Sequence, residues 1–273
     1  MSAVVQLPEL PRRVVLTLAD LVRAAHLADA PLPLRVDASA SGQLADRLRG
    51  ASPSSRDDVR RALGEPDHLG ELGLLDDGDL VPEAALALRV LAGGSLTVRL
   101  DLVARRRGGV VPLRAWFGVG PGLVAQLSTS SGRDLELAWF APELWTSQLV
   151  RTLAFSRPAP SGSGLPESVS MPSEDLVAGC AAVRAGRTDV LGAWSPRHAA
   201  AVTALEATCR GRLRVLVRGR GRAAVTSWVL HDDGWRELRP GPAATVRLRR
   251  RDPRVIASWL APAVARAAAG GPR

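Results

Sequence analysis

The chain has 273 residues, 46% hydrophobic and 23% charged, which is enough apolar material for a sizeable core and excludes a mostly disordered polypeptide. Its 36 basic and 27 acidic side chains leave a net charge of +9; every basic one is arginine, lysine, asparagine and tyrosine are absent, and Ile256 is the sole isoleucine. Those four residue types use AT-rich codons, so the arginine excess is in part a mark of a GC-rich genome, and the pI near 11.3 overstates the case for a nucleic-acid partner. Two cysteines exclude a disulfide framework.

The first residues, MSAVVQLPELPRR, put Glu9 and two prolines where a signal peptide needs an apolar core, which points to a cytosolic protein. Ser39 to Arg61 is polar and reads as loop with a short helix. Val81 to Leu91 is a helix, started by Pro82 and ended by Gly93-Gly94. Ser95 to Ala104 alternates strictly at Leu96, Val98, Leu100 and Leu102, the pattern of a half-buried strand. Arg105 to Gly109 is a turn, Val111 to Phe117 a second strand, and Gly118-Val-Gly-Pro-Gly122 a second turn. Leu123 to Leu127 and Asp134 to Trp139 are strands separated by the turn Ser128 to Gly132, and a helix runs from Pro142 to Leu153. The longest uncharged run, Ala115 to Gly132, is broken by Gly118, Gly120, Pro121 and Gly122, so it is no membrane span.

Ser156 to Ser170 holds three prolines, two glycines and five serines and reads as a linker. Beyond it come a helix from Pro196 to Cys209, a strand Arg212 to Val217, a turn Arg218 to Arg222 and a strand Ala223 to Leu230. The hairpin turn Asp232-Asp233-Gly234 follows, then strands Trp235 to Leu238 and Thr245 to Leu248. A final helix, from Asp252-Pro253 to Ala268, contains Pro262.

This order repeats the order before the linker. Leu96-Thr-Val-Arg-Leu matches Leu213-Arg-Val-Leu-Val, Arg114-Ala-Trp116 matches Thr226-Ser-Trp228, and Ala19-Asp-Leu-Val22 matches Glu174-Asp-Leu-Val177. The expected organisation is an internal duplication of an α+β unit, residues 1–155 and 171–273 joined by the linker 156–170.

Signals of catalysis are weak. His26 and His198 lie in helical segments with no serine or cysteine at useful spacing. His68 and Glu71 form an H-x-x-E pair, but Gly64 to Gly70 is too rich in glycine and proline for a ligand-bearing helix, and a solvated loop is the simpler account. His231 abuts Asp232 and Asp233 in a polar turn. Cys180 and Cys209 sit in Ala/Val-rich helices as small hydrophobes. Gly118 to Gly122 lacks phosphate-loop spacing and precedes a strand. No metal, cofactor or enzymatic role is expected. Core packing is the expectation for all seven tryptophans.

The basic residues are unevenly spread. Arg210 to Arg254 holds thirteen arginines against Asp232, Asp233, Glu237 and Asp252, an excess equal to the net charge of the whole chain. Such a surface, with Trp228 and Trp235 as stacking platforms, could serve a nucleic acid. A basic face for an acidic protein partner is at least as good a reading.

The arrangement resembles the EspG proteins, type VII (ESX) secretion chaperones of actinobacteria. The resemblance is carried by Leu16-Thr-Leu-Ala-Asp-Leu-Val22, Pro31-Leu-Pro-Leu34, Gly73-Leu-Leu75, Val81-Pro82 with its Leu-rich helix, and Arg114-Ala-Trp116. It continues after the linker with Met171-Pro172, Asp175-Leu-Val177, Gly211-Arg-Leu-Arg-Val215 and Asp233-Gly-Trp235. It implies a quasi-twofold α+β fold whose central antiparallel sheet is flanked by two helical bundles. It implies a non-enzymatic cytosolic chaperone, without membrane attachment, that binds the helical tip of a PPE or PPE-like substrate within a PE–PPE pair and masks its apolar patch. The implied contacts are the loop beginning Arg105, Arg106 and Arg107, and on the second half Arg214, Leu216, Arg218, Trp228, Leu230 and Trp235. The Ala/Arg-rich composition and short second half leave the client's identity open.

Overall fold

The structure, a computed structural model, describes residues 11–31, 68–106, 109–153, 165–219, 222–252 and 254–269. It is an α+β protein with a large antiparallel sheet and several helices. The chain forms two compact units, each assembled from separated stretches: residues 1–98, 115–145 and 263–273 in the first, 99–114 and 146–262 in the second.

In the first unit, strand β1 (Arg12–Leu16) pairs antiparallel with β7 (Leu135–Phe140), and β7 with β6 (Leu123–Thr129); β5 (Gly109–Gly120) and β4 (Leu96–Arg106) follow in order, with residues 115–120 and 96–98 in this unit and the rest of both strands in the second. Helix α1 (Leu18–Leu27) opens with a capping box: the Asp20 amide donates to Thr17 Oγ1 at 3.2 Å, and the Thr17 amide to Asp20 Oδ2 at 2.9 Å. The same Asp20 oxygen lies 2.8 Å from His68 Nδ1, on the one-turn helix α2 (His68–Glu71). His68 is thus an anchor for α1 rather than part of a loop, and among the described residues no three potential ligands gather into a metal site. A small hairpin, β2 (Leu75–Asp76) and β3 (Asp79–Leu80), turns on Asp77 and Gly78, both at positive φ.

Helix α3 (Pro82–Gly93) lays Ala84, Ala87, Leu88 and Leu91 into a core shared with Leu21, Leu123, Leu127, Leu137 and Trp139. Its approach corrects one expectation. Gly118 and Gly120, read as turn, belong to β5, and only Pro121 and Gly122 make the turn. A Cβ on Gly118 would stand 2.2 Å from the Val90 carbonyl oxygen, so Gly118 lets the helix backbone rest on the strand, while Gly120 leaves room for the Val90 side chain.

In the second unit the order is β4-β9-β10-β11-β12-β8, from β9 (Cys209–Gly219), β10 (Arg222–His231), β11 (Gly234–Pro240), β12 (Thr245–Arg250) and β8 (Ser168–Pro172). Strand β8 was expected to be the end of the linker. Its residues alternate, Ser168 and Ser170 exposed and Val169 and Met171 buried, and it pairs antiparallel with β12. The rest of the expected linker, 156–164, lies outside the described residues, as do Ser39 to Arg61.

Helices α5 (Ser173–Arg184) and α6 (Pro196–Thr208) pack Leu176, Val183, Ala201 and Val202 over Val169, Met171 and Val246. On the other face of the sheet, Leu213, Val215, Trp228, Leu230 and Trp235 are buried, as are Ile256, Ala257 and Leu260 of α7 (Arg254–Ala268). Pro262 sits inside α7 without ending it. Helix α4 (Trp145–Leu153) follows a 3-10 turn at Pro142–Leu144.

Candidate functional site: an arginine-studded open sheet face

Across four adjacent strands of the second unit the buried residues fall on one alternate row; on β10 that row is buried only at Trp228 and Leu230. On β9, Leu213, Val215 and Val217 face inward, while Arg212, Arg214 and Arg218 are exposed and Leu216 is half-buried. The register carries this onto β10, where Val229, Ser227, Val225 and Ala223 stand opposite Arg212, Arg214, Leu216 and Arg218. Directly paired residues project to the same face. On β4, Leu100, Leu102 and Ala104 are buried against exposed Arg99 and Arg105; on β5, Leu113 is buried against exposed Val110, Pro112 and Arg114.

The open face therefore mixes arginines with Val103, Val110, Leu216, Val225 and Val229. Arg99 is held by Asp101, its Nε and Nη2 donating to Oδ1 at 3.1 and 2.9 Å, and Arg210 by Asp232. Arg105, Arg114, Arg212, Arg214 and Arg218 have no carboxylate partner among the described residues. Uncompensated guanidinium groups over an apolar floor suit a partner with apolar centre and acidic or hydrogen-bonding rim, because arginine stems cover apolar surface while their heads pair.

The sequence-derived contact residues divide along the pleat. Arg214, Leu216 and Arg218 stand together on the open face, and Arg105 is exposed on β4. Arg106 ends β4, and Arg107 lies outside the described residues. Trp228, Leu230 and Trp235 do not join them: they are 2%, 2% and 3% exposed, on the opposite face, with Trp228 opposite Leu213 and Leu230 opposite Trp235. They support the sheet and offer no stacking platform. Sequence reasoning missed Val110, Arg114, Arg212 and Val225. Their signal was the alternation itself, carried one strand further in each direction.

Burial holds Cys180, Cys209 and His231 toward their neutral forms. Burial, then Glu206, pushes the Cys180 thiol up to about 12, and burial raises Cys209 too. Burial, then the Arg236 charge, lowers His231 to about 4; its Nδ1 lies 3.0 Å from Thr208 Oγ1. Among the described residues, no helix is long and apolar enough to cross a membrane.

No protein-family model and no curated sequence matches the chain. Its fold does match that of a secretion chaperone. One similar structure is the Mycobacterium tuberculosis type VII secretion system chaperone EspG5 in complex with the PE25–PPE41 dimer, with a TM-score of 0.58 and 12% identity, over 96% of this chain and 99% of that one. At that identity the likeness is one of fold.

Proposed function

We propose that this protein is a cytosolic chaperone of a type VII secretion system that holds a helical PPE-like client, alone or in a PE–PPE pair, soluble for export. The observation that carries the reading is the end-to-end fold likeness to EspG5, which is itself seen with PE25–PPE41. The open face supports it: a helical tip that exposes apolar residues before export needs a sheet surface with apolar floor and polar rim. The client docks on Arg105, Arg114, Arg212, Arg214, Leu216 and Arg218. No step in this role needs a cofactor or an enzymatic centre. The chain is an internal duplication carrying a helical bundle at each end. In its support, each series runs from one strand through helices to four strands and a closing helix, the first with the short helix α2 and the hairpin β2–β3 in addition, and the first strand pairs antiparallel with the last in each series, β1 with β7 and β8 with β12.

The test is co-expression with a PE–PPE or PPE-like pair from the same host. The client should stay soluble with the wild-type chaperone and precipitate with Leu216→Asp. Equal solubility with and without the chaperone would refute the role. The arginines that lack a carboxylate partner among the described residues favour one second reading, a nucleic-acid surface. Phosphate-driven binding weakens steeply with salt, whereas an apolar client interface does not.

A further inference from the structure

On the opposite face of the second unit, away from the arginine-studded surface, a groove of about 280 Å3 opens between β10, β11 and α7. Thr226 and Trp228 form its floor, Val255 and Trp259 its wall, and Glu237 and Arg239 its polar side. The volume is just under the roughly 300–1,000 Å3 of small-molecule sites and suits one or two side chains better than a cofactor. Trp259 departs from the expectation that every tryptophan is core: it is 51% exposed, on a helix whose neighbours Ile256, Ala257 and Leu260 are buried. The charge beside the groove is one-sided. Glu237, 6% exposed, is spanned by Arg239 at 2.7 Å and Arg251 at 3.6 Å. Arg239 stands directly opposite Arg247 across the β11–β12 ladder, and Arg249 opposite Glu237. Arg247 and Arg249 have no carboxylate partner among the described residues. Like charges directly opposed across a ladder destabilise it, so the free protein keeps a repulsion that an anionic partner would relieve.

We infer that this groove is a second protein-docking site, which takes an acidic segment anchored by one aromatic or large aliphatic side chain. The anchor stacks on Trp259 and enters over Trp228, and the acidic residues on either side meet Arg239, Arg247 and Arg249. Lying on the face opposite Arg214 and Leu216, the site is open whether or not that surface is filled. It does not depend on the client reading.

The test is fluorescence polarisation of the full chain with a panel of short labelled peptides, each bearing Trp, Phe or Leu within a run of Asp and Glu, and with lysine-for-acid counterparts. Acidic peptides with an anchor should bind and the lysine set should not. Trp259→Ala and the double variant Arg247→Thr/Arg249→Thr should each weaken binding at least about tenfold, while Arg214→Glu leaves it unchanged. Arg247→Thr alone should also melt slightly higher than wild type, because the opposed pair is gone. The proposal is overturned if no acidic peptide outbinds its lysine counterpart, or if Arg214→Glu rather than Trp259→Ala abolishes binding. Equal binding of an anchorless polyglutamate or an RNA oligomer would overturn it too, since that would show a generic polyanion surface.

Discussion

Replacing Gly118 with alanine adds one methyl group to the interior of the first unit. The new Cβ would lie 2.2 Å from the Val90 carbonyl oxygen, 2.7 Å from the Val90 carbonyl carbon and 2.8 Å from the Leu91 Cα. All three are helix backbone, which cannot rotate aside as a side chain would. Helix α3 must withdraw by about 1 Å, and a gap of that size forfeits a quarter to a half of each dispersion contact it opens. Ala84, Ala87, Leu88 and Leu91 all lose contact together, each at most 5% exposed. Overpacking typically costs about 1–3 kcal/mol, and a backbone-on-backbone clash belongs at the upper end. At about 3 kcal/mol the expected fall in Tm is about 6–12 °C. The control is Gly93→Ala in the last turn of the same helix, where an added Cβ meets nothing within 4 Å. It should be neutral or stabilising by about 0.5–1 kcal/mol, since alanine is the better helix former. Thermal unfolding followed by far-ultraviolet circular dichroism compares the three proteins. A Gly118→Ala protein that melts with wild type would refute the packing account of α3 on β5.

Arg236 is 1% exposed and donates to the Pro166 carbonyl at 2.7 Å and to Asp233 Oδ2 at 2.8 Å; Arg236→Met should cost about 3–5 kcal/mol, read as a lower urea midpoint. His231 titrates at about 4 when folded, against 6.5 when free, because of burial and then Arg236. Its contribution to stability is full above pH 6.5 and is lost as pH falls from 6.5 toward 4, where only the unfolded chain takes the proton. His231→Gln should flatten that part of the Tm–pH curve, and an unchanged slope would count against the assignment. Arg214→Glu with Arg218→Glu should leave Tm within about 2 °C of wild type, as both side chains are exposed, while client retention falls.

Strand β4 was legible because Leu96, Val98, Leu100 and Leu102 alternate without interruption, and the Asp232-Asp233-Gly234 turn because its residue types permit little else. The two short edge strands were not. Arg12 to Leu16 and Ser168 to Pro172 offer only two inward residues each, Val14 with Leu16 and Val169 with Met171, too few to show a period in polar or proline-flanked sequence. The Asp77-Gly78 hairpin carries a recognisable turn signal, but its two-residue strands are too short to show a period. Gly118 and Gly120 misled because glycine serves turns and close helix approaches alike, and only the helix across from them decides which.

The candidate site was legible by half for a similar reason. Within β9, period-two alternation places Arg214, Leu216 and Arg218 together. Between strands, the register decides. Arg214 stands opposite Ser227 and not Trp228, and that single step of pairing sends Trp228 and Leu230 into the core. Sequence spacing holds no record of such a step across a turn. Trp259 shows the converse limit, since composition marks tryptophan as core and only the packing of α7 leaves it exposed.

The most direct test of the chaperone account is affinity capture of the tagged protein from nuclease-treated host cytosol, washed at low and at high salt. It would be run in parallel with Leu216→Asp, and bound chains would be identified and quantified by mass spectrometry. The account predicts one helical type VII secretion substrate, held near one-to-one through the high-salt wash by the wild type and lost from the variant. Nucleic acid or ribosomal protein at low salt, and nothing at high salt, would contradict it and leave the likeness to EspG5 as one of fold without shared function.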